Sequence, residues 1–137
     1  MKLLLDTNIV LDLLQDWFPF SGDAQAIAEL AGQGKVAEYV SASAVTDIYY
    51  ILDKGDDGRK NARRGLDRLL SVVHILPVTE EAIRYAYQMD WKDFEDSVQY
   101  AAAVLGTVDC IITRNKGDYE AREIPVLTPK EFLMKFI

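Results

Sequence analysis

Apolar residues along the chain occur in two alternating patterns: short continuous runs and longer stretches with helical spacing. Short apolar or β-branched runs are typical of buried strands, and apolar residues that recur roughly every three to four positions are typical of helices. Strands are predicted at residues 2–5, 38–41, 72–76, 108–113 and 126–127. Helices are predicted at residues 9–14, 23–33, 43–52, 59–70 and 93–106, from residue 79 onwards, and at 128–136. The alternation predicts an α/β domain with a central parallel sheet of about four to five strands flanked by helices.

Some residues of these elements carry more specific predictions. Ser43 has a side chain typical of an N-cap and is predicted to start the third helix. In the fourth helix, Leu66, Leu69 and Leu70 are predicted to face the core. His74, between two apolar residues of a strand, is predicted to be structural rather than catalytic. A band of basic residues covers the fourth helix, and a solvated face is favoured for it over contact with RNA phosphates or an acidic partner: Arg59, Lys60, Arg63, Arg64 and Arg68.

Length and composition are those of an ordinary globular domain. Of 137 residues, 50% are hydrophobic and 27% are charged, so residues 1–137 are expected to form a single domain. No apolar run approaches the ~20 residues of a membrane span, and Asp6 follows the N-terminus too closely for a signal peptide. Because Cys110 is the only cysteine, an internal disulfide and a four-cysteine zinc site are excluded. A cytoplasmic location is expected.

The net charge of −7 argues against binding nucleic acid through bulk charge. It leaves room for a nuclease that holds a metal ion in an acidic site. The placement of the individual acids therefore matters more than their number.

Polar residues follow two of the predicted strands directly. Asp6 comes after the first strand, and Thr113, Arg114, Asn115 and Asp118 come after the fourth. In open parallel sheets, ligands bind beyond the carboxyl ends of the strands. If the two strands are neighbours, Asp6 approaches the loop after the fourth strand. The alternative is that Asp6 only caps the following helix.

Further acids stand at helix positions that permit two interpretations. Asp47 lies on the flank of an apolar stripe, where it faces either solvent, the favoured interpretation, or a cleft. Asp93, Glu95 and Asp96 open a helix, where capping and the helix dipole account for acids. Asp93 and Asp96 are nevertheless three residues apart and can face the same point. Small residues at 101–103 permit that helix to pack closely on the sheet.

Carboxylates that converge in one cleft repel each other unless a cation neutralises them. Oxygen ligands select Mg²⁺ or Mn²⁺, and a chain with one histidine and one cysteine offers almost no softer ligands. Such a site is typical of phosphodiester chemistry, in which the metal activates water and stabilises charge on phosphate oxygens.

Four segments in this order resemble the PIN domain, in particular the small prokaryotic branch that contains VapC-type toxins. They are Asp6-Thr7-Asn8 after an apolar strand, Ser41-Ala42-Ser43 with Asp47, the segment 93–96 before an alanine-rich helix, and residues 109–119. The resemblance covers the whole chain. It implies a PIN-like α/β/α sandwich and an endoribonuclease that uses Mg²⁺ or Mn²⁺ to hydrolyse RNA phosphodiester bonds. It also implies the toxin of a toxin–antitoxin pair, a homodimer held by an antitoxin protein.

The resemblance also assigns residues. Asp6 matches the first family acid, Asp47 the second, which is usually glutamate, and Asp96 the third, with Asp93 as its companion. For the fourth, either Asp118 or Asn115 is in place. The implied catalytic residues are Asp6, Asp47, Asp96 and Asp118, the implied metal ligands are Asp6, Asp93 and Asp96, and the implied substrate-binding residues are Thr7, Asn8, Thr113, Arg114 and Asn115. The aromatic residues at 17, 18 and 20 are expected to cover the core or to form a surface for a dimer or an antitoxin.

Two rival functions remain open. A non-catalytic PIN-like module that binds RNA or protein is one, because Asp47 is shorter than the usual glutamate. Another Mg²⁺-dependent phosphoryl-transfer α/β domain is the second. A haloacid-dehalogenase phosphatase needs an acid where Asn8 stands, and a receiver domain needs one where Pro77 follows the third strand.

Overall fold

The computed structural model describes residues 1–15, 21–121 and 123–136. A single five-stranded parallel sheet forms its centre, with the strand order β3-β2-β1-β4-β5. The strands are β1 (Lys2–Leu5), β2 (Ala37–Ser41), β3 (His74–Leu76), β4 (Cys110–Ile112) and β5 (Val126–Leu127). The helices are α1 (Thr7–Gln15), α2 (Ser21–Gly32), α3 (Ala42–Leu52), α4 (Gly58–Val72), α5 (Glu80–Met89), α6 (Phe94–Leu105) and α7 (Pro129–Phe136).

The leucine run of β1 occupies the middle of the sheet because both of its faces are covered. Leu3, Leu4 and Leu5 are fully buried. Leu3 and Leu5 pack in the core under α1–α4 and α7, whereas Leu4 belongs to the core on the opposite face, which contains residues of α6. The predicted sandwich of helices around a parallel sheet is therefore confirmed. Because β1 pairs directly with β4, the loops that follow these two strands lie at the same edge.

Three sequence predictions differ from the structure in detail. Ser41 caps α3, since its Oγ accepts a hydrogen bond from the Ala44 amide at 3.2 Å, so the prediction for Ser43 was wrong by two residues. Helix α4 continues through residue 72, and this shortens β3 at its start. Leu69 is buried, but Leu70 is 52% exposed because it lies about 100° round the helix from its neighbour.

Further observations concern residues that the sequence singled out. His74 is exposed and packs its ring against Tyr39 of the adjacent strand, with 5.0 Å between the ring centroids, and its structural role stays a prediction. Trp17, Phe18 and Phe20 lie outside the described residues. In the part of the chain that the structure describes, no helix is long and apolar enough to cross a bilayer.

The turn between α3 and α4 depends on a glycine. A Cβ atom at Gly58 would overlap the backbone carbonyl of Asp53, so the two segments approach each other too closely for any side chain. We expect Gly58→Ala to lower the free energy of unfolding by about 2 kcal/mol, as overpacking does elsewhere. Gly32→Ala is the matched control, because nothing lies within 4 Å of its Cβ position. Urea unfolding measures both, and equal stability of the two variants would contradict the close approach.

Candidate functional site

A cleft of about 490 Å³ opens at the carboxyl end of the sheet. Its walls are the first residues of α1, the exposed side of α3 and the start of α6. Among the described residues, no lysine or arginine lines the cleft. Six carboxylates do: Asp6, Asp47, Asp93, Glu95, Asp96 and Asp118. The structure thus brings together acids from both ends of the chain, as the strand-end argument predicts.

Asp6 lies at the floor of the cleft and is 8% exposed. Its Oδ1 accepts hydrogen bonds from the Thr7 amide at 2.7 Å and from Gln99 Nε2 at 2.9 Å. Its Oδ2 accepts from Thr113 Oγ1 at 2.8 Å and from the Tyr119 hydroxyl at 3.2 Å. Four donors therefore fix both carboxylate oxygens in position.

This pattern differs from that of a helix cap. A capping side chain accepts from the second or third backbone amide of the helix. Among the described residues, the one backbone donor to the Asp6 carboxylate is the first amide, that of Thr7, while the backbone carbonyl of Asp6 accepts from Ile9 at 3.0 Å. The side chain is held by residues from α6 and from the loop after β4 instead, which is the arrangement of a site residue.

A second layer of residues supports Asp6. Gln99 Oε1 accepts a hydrogen bond from Ser41 Oγ at 3.0 Å, so this amide connects the end of β2 with the floor of the cleft. Burial, with the nearby charges of Asp6 and Asp96, raises the pKa of the Tyr119 phenol. The phenol therefore stays protonated and continues to donate to the carboxylate.

Asp96 shows most directly how crowded the acids are. The residue is half-buried, and burial is the largest cause of the raised pKa of its carboxyl group. The charges of Asp6, Asp93, Asp118 and, least, Glu95 act in the same direction, and together with burial they raise the pKa to about 7. A cation in the cleft would remove this repulsion and favour the ionised form.

Glu95 of α6 and Asp47 of α3 form an acidic pair across the cleft. The charge of Asp47 raises the pKa of Glu95 most, followed by burial and by a hydrogen bond between the two carboxyl groups. Two carboxyl groups this close titrate as a pair, and the first proton that the pair takes up is shared between them. Asp47 consequently faces the cleft. The interpretation favoured from the sequence, that Asp47 faces bulk solvent, was wrong.

The predicted substrate-binding residues separate into three positions. Thr7 and Asn8 line the cleft, and Thr113 lies behind Asp6. Arg114 and Asn115 line a neighbouring pocket instead, where the Arg114 Nε lies 2.9 Å from Oδ2 of the buried Asp12. Their contact with a substrate stays a prediction.

Glu95, Gln99 and Tyr119 are site residues to which the sequence reasoning assigned no site role. A signal for the first two was available, because Gln99 lies four residues after Glu95 and three after Asp96, which places it next to both on α6. Tyr119 directly follows Asp118, but nothing in the sequence indicates its 113-residue contact with Asp6. Across the described residues, no group of three acidic, histidine or cysteine side chains is already arranged as a metal site.

A comparison with known families decides the classification. The sequence profile of the PIN domain family matches residues 2–117. The chain belongs to the PIN domain family. The resemblance indicated by the four segments is confirmed, and the match includes every acid of the cleft except Asp118, which lies one residue beyond it.

Solved toxin–antitoxin structures share the fold of this PIN domain. VapBC2 from Rickettsia felis, bound to a DNA fragment from its promoter, has a TM-score of 0.71 at 17% identity, over 93% of this chain and 97% of that one. A toxin–antitoxin complex from Klebsiella pneumoniae gives 0.70 at 22% identity, over 92% and 96%. VapC20 from Mycobacterium tuberculosis, a toxin that cleaves the sarcin–ricin loop, gives 0.61 at 16%, over 80% and 86%. No curated protein matches the sequence.

Proposed function

We propose that this PIN domain is a metal-dependent endoribonuclease and the toxin of a toxin–antitoxin pair. The observation that carries the proposal is the cleft. In it six carboxylates meet, with no basic residue among those described, around an Asp6 that four donors orient. The family and the cleaving activity of the structurally similar VapC20 support hydrolysis of RNA.

The donor set suits Mg²⁺ or Mn²⁺. All six acids offer hard oxygen ligands, and neither His74 nor Cys110 lines the cleft. Asp6, Asp93 and Asp96 are the residues that would hold the ion, and the crowding that raises the pKa of Asp96 is the repulsion that such an ion relieves. When bound, a divalent ion polarises a phosphate oxygen and lowers the pKa of water.

The protein's own residues perform the remaining tasks. Thr113, Tyr119 and Gln99 keep the Asp6 carboxylate in one orientation, so that reacting groups need no rearrangement. The Asp47–Glu95 pair lies across the cleft and is positioned to take up the proton that an attacking water loses. Water then adds to phosphorus as the bond to the leaving sugar oxygen breaks, and that oxygen takes up a proton from solvent to become a hydroxyl group.

An antitoxin partner is proposed because several of the similar structures are toxin–antitoxin complexes. A homodimer and a cytoplasmic location are further parts of the proposal, and they follow from the family resemblance and the composition.

The activity is tested with purified protein and a fluorescein-labelled, unstructured oligoribonucleotide of mixed sequence. We expect cleavage with Mg²⁺ or Mn²⁺, none with EDTA, and recovery when metal is restored. The DNA oligonucleotide of the same sequence controls for a general nuclease. Metal binding without cleavage of any RNA would contradict the proposal and favour the non-catalytic module.

Divalent metal is also expected to stabilise the fold. An ion that binds only the folded state stabilises it by about 2.7 kcal/mol at a hundred times its dissociation constant. For a domain of this size that corresponds to a rise in Tm of several degrees, ~5 °C or more. Differential scanning fluorimetry with MgCl₂ and MnCl₂ measures it, with NaCl at equal ionic strength as the control. A Tm that the divalent ions leave unchanged would count against the metal site.

A further inference from the structure

We propose that Tyr50, together with Ile51 and Leu11, forms a nucleobase subsite at the rim of the cleft. There an unpaired base next to the scissile phosphate of an RNA stacks on the tyrosine ring. The subsite presupposes the ribonuclease activity proposed above and names the substrate class: RNA that is single-stranded at the cleaved bond.

The placement of Tyr50 suits this role. It lies three residues after Asp47 on α3, with Ile51 one residue further, so all three side chains share one face of the helix. All three line the cleft, and Tyr50 is 69% exposed while Ile51 is 37% exposed. Within the described part of the chain, the Tyr50 ring makes no hydrogen bond and no aromatic contact.

Several aromatic rings of the described residues are exposed, and Tyr50 is the one among them that lines the cleft. Tyr87, Phe94 and Phe136 are also at least 45% exposed, but none of them lines the cleft. Leu11 of α1 lies on the rim with Tyr50 and Ile51. One side of the cleft is thus apolar and aromatic, whereas the side formed by α6 and Asp118 is acidic.

The charge of the cleft favours such a subsite. Proteins usually gain affinity for nucleic acid when lysine and arginine replace the counterions of the phosphates. The cleft contains six carboxylates and no basic residue among those described, and the chain as a whole carries −7. Apart from a metal ion, contacts with the bases are therefore the source of affinity that the cleft itself offers. Stacking on an aromatic ring supplies it without charge and with little sequence preference.

The same geometry selects unpaired RNA. A base within a duplex has both of its faces covered by neighbouring pairs, so it presents no face to a tyrosine ring. Because Tyr50 lies one helical turn from Asp47, the base that it stacks belongs to a nucleotide beside the phosphate in the acidic part of the cleft.

The main competing surface is the basic start of α4. Arg59, Lys60 and Arg63 line a separate pocket of about 600 Å³, next to α3. If that pocket provided the affinity, binding would weaken steeply with added salt. A subsite based on stacking predicts a shallow dependence of KM on KCl concentration.

The test uses steady-state cleavage of the fluorescein-labelled oligoribonucleotide after its cleavage position has been mapped. Removal of a stacked base contact costs affinity, so we expect Tyr50→Ala to raise KM about tenfold and to leave kcat nearly unchanged. Tyr50→Phe keeps the ring and should behave like the wild type. Tyr87→Ala removes an equally exposed tyrosine away from the cleft and should change neither constant.

A second substrate tests whether Tyr50 contacts the base beside the cleaved bond. An abasic nucleotide beside the cleaved bond should raise KM of the wild type as much as Tyr50→Ala does, and should raise KM of Tyr50→Ala no further. An unchanged KM in Tyr50→Ala, or additive effects of the variant and the abasic site, would overturn the subsite. So would a larger rise in KM from the Arg59→Ala/Arg63→Ala variant. If the wild type cleaves no RNA at all, the proposed function itself fails, and the subsite with it.

Discussion

Asp6→Asn is expected to abolish RNA cleavage while the protein stays folded. Asparagine keeps the oxygen that accepts from Thr7 and Gln99, and its amide can donate to the Tyr119 hydroxyl. Thr113 Oγ1 already accepts from Asn8 Nδ2 and from the Asn115 amide, so its hydrogen bond to residue 6 is lost. The substitution therefore removes the charge and one hydrogen bond. Metal assistance contributes several kcal/mol to such reactions, so kcat should fall on the order of a thousandfold.

Asp67→Asn is the matched control, because it removes one charge from the exposed side of α4. It should cleave RNA like the wild type. Circular dichroism and a urea titration establish that both variants fold. A folded Asp6→Asn protein with full activity would contradict the mechanism, whereas an unfolded one would show that Asp6 serves the fold first.

Glu38→Gln is expected to stabilise the protein at alkaline pH and to do so much less at acid pH. Glu38 lies in β2, is 3% exposed, and its Oε2 has no hydrogen-bond partner among the described residues. Burial raises the pKa of its carboxyl group from 4.5 to about 7. Ionising a buried acid without a partner is costly, and the glutamine variant avoids this cost.

The sign of the pH dependence of stability follows from the direction of the pKa shift of Glu38. Because the pKa is higher in the folded state, the unfolded state releases its proton first as the pH rises. The wild type therefore loses stability between about pH 4.5 and pH 7, by about 3 kcal/mol in total. Urea unfolding at pH 5 and pH 8 measures the free energy of unfolding of the wild type and of Glu38→Gln. The difference between the two proteins at each pH removes the titration of all other groups. A difference that is the same at both pH values would contradict the buried, unpartnered carboxyl group.

Local patterns were sufficient for most of the fold. The Leu3–Leu5 run and the acid behind it predict a buried strand that ends at a site, because apolar runs and strand ends are properties of neighbouring residues. The same holds for Asp93, which caps α6 through its Oδ1 as predicted. Ser41 and Ser43 both have side chains suited to capping, and in the structure the cap is Ser41, the last residue of β2.

The parts that sequence did not predict depend on contacts between distant segments. Tyr119 and Gln99 reach Asp6 from 113 and 93 residues away, and their role appears only when β4 lies beside β1. Arg114 is basic and follows a strand end, which favoured a phosphate contact. In the structure it pairs with Asp12, 102 residues away, a partner that no local pattern indicates.

The most direct test of the acidic cleft as a metal-dependent ribonuclease site is the initial rate of RNA cleavage measured against Mn²⁺ concentration, for the wild type and Asp96→Asn. The wild-type rate should rise from zero to a plateau. Asp96→Asn, which removes one of the carboxylates proposed to hold the ion, should need far more Mn²⁺ or show no cleavage at any concentration. Cleavage by the wild type in EDTA, or identical curves for the two proteins, would contradict the account.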